Sequence, residues 1–400
     1  MASALSGIRV LDLTNVLAGP FCAYQLALLG AETIKVETPG TGDLARVLGA
    51  DPALSAKLMG ASFLAQNGGK KSITVNLKSE GGKKIFHRLV ESADVLVENF
   101  RPGVMNRLGV GYDKLKSVNP KLIYCAISGF GQEGPMKDAP AYDQIIQGMS
   151  GVMSITGAQD TAPLRVGYPV CDSIGGITAA FAIAAALVGR ATSGEGRFID
   201  VSMLDSTIAT MGWVVSNYLI VGQTPIPMGN DNFTAAPSGA FKTKNGLLNI
   251  AANKQEQFEN LMKQIGRQEL IADPRFAKRE SRKQNRAALT KEVEAGLAAK
   301  SALEWEAALN KVDVPAGRVL SLPDALSLPQ VEQRQLLQKV DNVKGLDKSI
   351  TLMRGGYKMS GSDPNVDCPP PALGEHTDEI LESLGFSKAD VAAFRERKEI

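Results

Sequence analysis

The chain has 400 residues, 44% of them hydrophobic and 22% charged, with a formal net charge of +2. That length accommodates a large core and two domains, and the near-neutral balance gives no global attraction to nucleic acid or an acidic membrane. Two histidines and four scattered cysteines without a CxxC pair leave a histidine metal centre, a Ser-His-Asp triad and a disulfide framework short of raw material. Cys22, Cys125, Cys171 and Cys368 read as inert thiols of a reducing compartment.

No basic region followed by an apolar run opens the sequence, and the apolar stretch Ala179–Val188, bounded by Arg190, is short for a bilayer span. The expected location is the cytoplasm. Over the first 130 residues, short β-rich runs alternate with helical patterns. Arg9–Leu13, Glu32–Glu37, Ser72–Asn76, Asp94–Glu98 and Leu122–Ser128 read as buried strands. Phe21–Leu29 and Lys78–Ala93 read as helices, the second with Ile85/Leu89 and Phe86/Val90 four apart on one face. This alternation predicts an α/β fold with a doubly wound, mostly parallel sheet. The first strand-to-helix turn, Thr14–Cys22, has one glycine, so the GxGxxG signature of nicotinamide binding is absent.

Further along, Tyr142–Thr156 and Ile174–Val188 read as helices and Arg197–Ser202 as a strand. Pro225–Gly239 is a Pro/Gly/Asn-rich break and the first domain boundary. A hairpin over Ala240–Ala252 turns at Asn245-Gly246. Helices are expected at Gln255–Ile265, Asn285–Leu297 and Ala302–Leu309, followed by a second break at Val314–Leu326. The remainder is mixed and ends in a helix.

Asp172 lies at the junction of an irregular loop, Pro163–Gly176, and the apolar helix. A carboxylate there can cap the first backbone N–H groups of the helix. It can also be an acyl nucleophile, because a helix N-terminus favours an anion and stabilises negative charge developing nearby. Gly175 and Gly176 would let a substrate approach the backbone. Cys171 is a weaker nucleophile candidate, since no histidine lies near it in sequence.

Eight blocks in fixed order carry a resemblance: GIRVLDLTNVLAGPFCAYQLALLGAETIKVE, NGGKKSITVNLK, ADVLVENFRPGVMNRLGVGYDKL, ISGFGQEGP, AYDQIIQGMSG, the Asp172 loop, TSGEGRFIDVSML and GEHTDEIL. Together they resemble the class III CoA-transferases, the family of formyl-CoA transferase and carnitine CoA-transferase, over essentially the whole chain. The resemblance implies transfer of CoA from an acyl-CoA donor to a carboxylic acid through a carboxylate nucleophile, with Asp172 on the catalytic aspartate. It implies no cofactor beyond coenzyme A as substrate. Leu17 and Ala18 match a backbone segment near the thioester. Val75, Asn76, Leu77 and Lys78 match the adenine and phosphate end. Asn99, Phe100, Arg101 and Arg107 match further CoA contacts, and Tyr142 and Asp143 a segment near the pantetheine. Independently, three CoA phosphates call for clustered cations, for which Lys70, Lys71, Arg101 and Arg107 are candidates.

The resemblance also implies a ring-shaped monomer and an interlocked homodimer. Residues 1–224 would form a Rossmann-like large domain, 225–328 a small domain, and 329–400 a return to the large one. Thr38 stands where formyl-CoA transferase has an arginine, and the segment matching its glycine-rich active-site loop, about 228–234, has only Gly229. Family breadth points to succinyl-CoA as donor and a small carboxylic or dicarboxylic acid as acceptor, selected by residues 228–240 with Tyr142. The alternative within the same fold is an acyl-CoA racemase, whose chemistry needs a histidine base; Tyr142 stands at that position. His87 reads as structural.

Overall fold

The computed structural model describes residues 2–400. It divides into two compact units: one holds the described residues up to Val152, Arg165–Gln223 and Gln330–Ile400, the other Met153–Leu164 and Thr224–Pro329. The short segment Met153–Leu164, placed in the large domain by the sequence reading, therefore belongs to the second unit.

The first unit is built on six strands: β1 (Arg9–Asp12), β2 (Glu32–Glu37), β3 (Lys70–Thr74), β4 (Val95–Glu98), β5 (Ile123–Ser128) and β6 (Phe198–Ser202). They are parallel throughout, in the order β3-β2-β1-β4-β5-β6. The order reverses between β1 and β4, and ligands in such sheets bind outside the strand C-termini at that point. Every residue of β4 and β5 is buried, which is why these strands read as near-continuous apolar runs. Strand β3 starts two residues before the predicted run, so Val75–Lys78 is the turn that follows it.

Helices cover both faces. On one side lies α2 (Glu80–Glu91), capped by Ser79 and burying Ile85, Phe86, Leu89 and Val90. On the other lie α1 (Ala18–Leu28) and α4 (Val170–Ser193), which pack with Val10, Val95, Ile123 and Ile127. The predicted helix at 142–156 is interrupted at Gly151, whose φ of 85° breaks the helical path. Its first part is α3 (Asp143–Met149).

Helix α4 runs 24 residues and is apolar enough to cross a bilayer by length and composition, so the shorter stretch seen in sequence understated it. Its buried residues fall on one face: Cys171, Gly175, Gly176, Ala179, Ala180, Ile183 and Ala186. Arg190 anchors its far end on the Asp94 carboxylate at 2.8 Å. This is the pattern of a helix packed on a sheet. Helices α5 (Met203–Thr210) and α6 (Trp213–Val221) follow β6.

A two-stranded antiparallel pair, β10 (Leu337–Val340) with β11 (Ile350–Met353), was not predicted. It sets Val340 and Leu352 against Tyr24 and Leu28 of α1, and the Tyr24 hydroxyl donates to the Met353 carbonyl at 2.7 Å. Helices α7 (Thr377–Ser383) and α8 (Lys388–Glu396) then add Ile380, Leu381, Val391 and Phe394 to the core on the α2 side.

The second unit has an antiparallel sheet of β7 (Ser238–Lys242), β8 (Leu247–Ala251) and β9 (Ala316–Arg318). Gly246, at φ 81°, makes the predicted hairpin turn. Helices Gln255–Gln264, Arg286–Leu297 and Ala302–Asn310 pack around Phe258, Val293 and Trp305. The Trp305 indole donates to the Leu297 carbonyl at 2.7 Å.

Candidate active site

Asp172 is not the cap of α4. The helix begins two residues earlier, and the position before it is Pro169, which makes no side-chain cap bond. The capping is done from α3: one Asp143 oxygen accepts the N–H of Cys171 at 2.8 Å and that of Asp172 at 3.3 Å. The other accepts from the Gln147 amide at 2.6 Å. Gln147 in turn bonds the Tyr168 carbonyl and the Val166 N–H, tying the loop before α4 to α3. Asp143 is buried, and its two oxygens are divided between the helix it caps and Gln147, with the Arg165 guanidinium 3.8 Å from the second.

The Asp172 carboxylate is thereby released from structural duty. Among the described residues none donates a hydrogen bond to it. Burial, followed by the neighbouring Asp143 charge, pushes it up to about 7, outweighing the preference of a helix N-terminus for an anion. A carboxylate near neutrality is more basic and more nucleophilic than a solvated one. Cys171 has no such access: it is fully buried and burial raises its thiol.

The two glycines serve packing rather than substrate approach. A Cβ on Gly176 would lie 2.5 Å from the Ala18 carbonyl oxygen, and one on Gly175 would lie 3.0 Å from the Met203 side chain. Their absence lets α4 press against the start of α1. Asp172 and Gly176 share a helix face one turn apart, so the face that carries Asp172 is the one pressed against Ala18. Leu17 occupies the cap position of α1 without any side-chain cap, which leaves backbone donors at that end for a ligand.

The turn between β1 and α1 is held from beneath by buried charge. Val16 adopts φ 69°, a costly conformation for a β-branched residue. Its N–H donates to Asp43 at 2.9 Å. Asn15 and Asn99 exchange a reciprocal pair of bonds, each 2.8 Å, so Asn99 clips the turn. Lys35 pairs with Asp43 at 2.9 Å and donates to the Thr14 carbonyl at 2.8 Å. Lys70 pairs with Asp12 at 2.8 Å. Asp12, Lys35 and Lys70 are all fully buried. Burial alone would raise the Asp12 carboxyl, yet Lys35 and Lys70 hold it below the usual range. Lys70 is therefore a core cation and not a phosphate contact. Lys71 is engaged with Glu379 at 2.8 Å.

A cavity of about 740 Å³ opens at the strand C-termini, lined among others by Thr14, Thr38, Val75, Asn76, Leu77, Lys78 and Phe100. Five predicted CoA contacts thus share one wall, and Thr38 shares it too. Arg101 and Arg107 are exposed and do not line this cavity, and Tyr142 is 66% exposed at the head of α3. His376 accepts the Ser72 N–H and His87 lies on α2, so neither joins the groups around Asp172. Neither the capping role of Asp143 nor the Lys35–Asp43 pair leaves a local sequence pattern.

A parallel six-stranded sheet with a nucleotide-sized crevice and a freed carboxylate at a helix start defines an α/β enzyme of the acyl-transfer type. The chain belongs to CoA-transferase family III, whose model matches residues 5–377. It is 41% identical over 372 residues to acetyl-CoA:oxalate CoA-transferase of Acetobacter aceti, covering 92% of each chain. It is 38% identical to succinyl-CoA:glutarate CoA-transferase of Mus musculus, over 95% of this chain and 86% of that one. The crystal structure of a CAIB/BAIF family protein from Brucella suis superposes with a TM-score of 0.83 at 35% identity, covering 96% of this chain and all of that one.

Proposed function

We propose that this acyl-CoA:carboxylate CoA-transferase works through a covalent thioester between Asp172 and CoA. The observation that carries the reading is a partly buried carboxylate, titrating near 7, whose capping role has been taken by Asp143. The Asp172 carboxylate attacks the donor thioester, forming a mixed anhydride and expelling the CoA thiolate. The thiolate attacks the aspartyl carbonyl, forming the aspartyl-CoA thioester and releasing the donor acid. The acceptor carboxylate then attacks this thioester, giving a new anhydride and thiolate. Attack of that thiolate on the acceptor's acyl carbonyl yields the new acyl-CoA and restores Asp172. Each step forms one acyl bond and breaks one, and no net proton or electron is required. The uncapped start of α1 supplies N–H donors for the oxyanions.

Leu17, Ala18, Val75–Lys78, Asn99, Phe100, Arg101, Arg107, Tyr142 and Asp143 make up the proposed CoA site, Asn99 and Asp143 acting by holding backbone. The donor is succinyl-CoA, as named for the glutarate-specific relative, and the acceptor a small carboxylic or dicarboxylic acid, in keeping with the glutarate and oxalate named for the relatives. The enzyme works in the cytoplasm as an interlocked homodimer. Phe181, Val188, Trp213, Leu219 and Ile220, each more than 70% exposed on α4 and α6, are the apolar surface that association would cover. The test is peptide mass mapping after incubation with succinyl-CoA and a hydroxylamine quench. A hydroxamate on Asp172 is expected, and unmodified Asp172 alongside product formation would sink the covalent route.

A further inference from the structure

The cavity at the strand C-termini has a second wall, formed by residues outside every predicted contact: Lys398 and Ile400. Four charged side chains line it: Glu37, Asp43, Lys78 and Lys398. The two acids are already neutralised. Glu37 accepts Arg46 through both oxygens at 2.7 Å, and Asp43 pairs with Lys35. Lys78 and Lys398 have no carboxylate partner among the described residues. Two ammonium groups without a carboxylate partner therefore face a space whose lining includes the apolar Val36, Val75, Leu77, Phe100, Val104 and Leu108 beside the polar Thr14, Asn15, Thr38 and Asn76.

The backbone that presents Lys398 is fastened in place. Lys398 itself sits at φ 56°, a conformation that L-residues adopt only under constraint. Its carbonyl accepts the Asn76 amide at 3.4 Å, and the next carbonyl, of Glu399, accepts the Asn76 N–H at 2.8 Å. The buried Glu399 carboxylate accepts the Gly81 N–H at 3.1 Å and the Arg397 guanidinium at 2.9 Å. A Cβ at Gly81 would come within 2.1 Å of that carboxylate, so the approach requires glycine. The whole arrangement docks Lys398 onto the turn that carries Lys78.

We infer that Lys398 and Lys78 together form a phosphomonoester site that recognises the 3′-phosphate of the CoA adenosine. This rests on the reading of the cavity as a CoA site. A phosphomonoester carries close to two negative charges at neutral pH, matching two lysines, and the apolar walls suit the purine. The volume lies within the range of sites that enclose a ligand of this size. The consequence is discrimination: this enzyme distinguishes CoA from dephospho-CoA through a residue far in sequence from the other contacts.

The experiment compares wild type, Lys398→Ala, Lys398→Arg and Lys78→Ala with succinyl-CoA and succinyl-dephospho-CoA. Lys398→Ala should raise KM for the CoA thioester about 10-fold, with the loss in KM rather than kcat, and leave KM for the dephospho substrate unchanged. Lys398→Arg should restore most of the preference. Equal effects on both substrates, or none on either, would overturn the assignment. Calorimetric titration with adenosine 3′,5′-bisphosphate gives a readout that needs no turnover. Binding weakened about 10-fold in Lys398→Ala supports the site, and unchanged binding by a variant with wild-type melting temperature refutes it. A wild-type enzyme that binds the bisphosphate but exchanges CoA with no acid would instead count against the proposed activity.

Discussion

Two places in the large unit bury carboxylates, and they treat them in opposite ways. Beneath the β1–α1 turn, Asp12, Asp43 and Glu37 are each matched by a buried cation: Lys70, Lys35 and Arg46. At the start of α4, Asp172 has no cation and no donor among the described residues, while an adjacent carboxylate raises it further. Full pairing fixes geometry: the first group holds a turn whose Val16 is in an unfavourable conformation. The absence of pairing maintains reactivity. The difference teaches that the same residue type serves as frame or reagent according to whether its charge is already answered.

Removing the unanswered charge tests the contrast most severely. Asp172→Asn should lower CoA exchange by roughly 10⁴-fold, measured by mass spectrometry of product thioesters. Its stability should move the other way. A carboxyl raised to about 7 in the folded chain and near 3.8 when unfolded keeps its proton longer in the native state. It therefore costs stability progressively as pH rises from about 4 to 7. The variant should gain on the order of 2 kcal/mol at pH 8, a value discounted for partial solvent access, and nothing at pH 3. A fall in melting temperature at pH 8 would contradict this account of the site.

The paired group should respond with damage alone. Lys35→Met leaves two acids facing one remaining cation and should cost about 3–5 kcal/mol in urea unfolding. A neutral result would mean that the charges frame nothing. Asp143 lies between the two behaviours. Asp143→Asn keeps an oxygen for the α4 N–H groups but drops the charge that helps raise Asp172. The acid limb of kcat/KM, expected near pH 7 in the wild type, should move to lower pH with little change in stability. Asp143→Ala should add a loss of about 1 kcal/mol from the missing cap. The smallest effect is expected at Asn99→Ala, about 1 kcal/mol from unclipping Asn15, read as a small drop in melting temperature.

The strands of the sheet were legible in sequence, most clearly the central ones, where burial on both faces leaves continuous apolar runs, as in Val95–Glu98 and Ile123–Ser128. Helix α2 was legible from its four-residue spacing. Asp172 was legible as a candidate nucleophile, but its release from capping the helix was not. The residue that frees it, Asp143, lies 29 positions away, and no local pattern marks one aspartate as another's substitute. Gly175 and Gly176 misled for the same reason, since the contacts they permit are with α1 and Met203. Lys70 read as a candidate phosphate contact because its partner, Asp12, is 58 residues distant. The strands β10 and β11 escaped because Leu337–Val340 and Ile350–Met353 are runs of four residues, half of them exposed, too short for a pattern to stand out. Lys398 escaped too, since only the fold brings it beside Asn76.

The close fit of Gly176 against Ala18 has a consequence for motion during turnover. With no side chain between them, the nucleophile's helix and the donors at the start of α1 translate as one body, and neither can swing toward a bound thioester independently. On the covalent route proposed above, displacement between stages would then fall to the substrate and to exposed groups such as Tyr142. Amide protons across Ala179–Ala186 should accordingly exchange with deuterium among the slowest in the chain, at rates unchanged by saturating CoA.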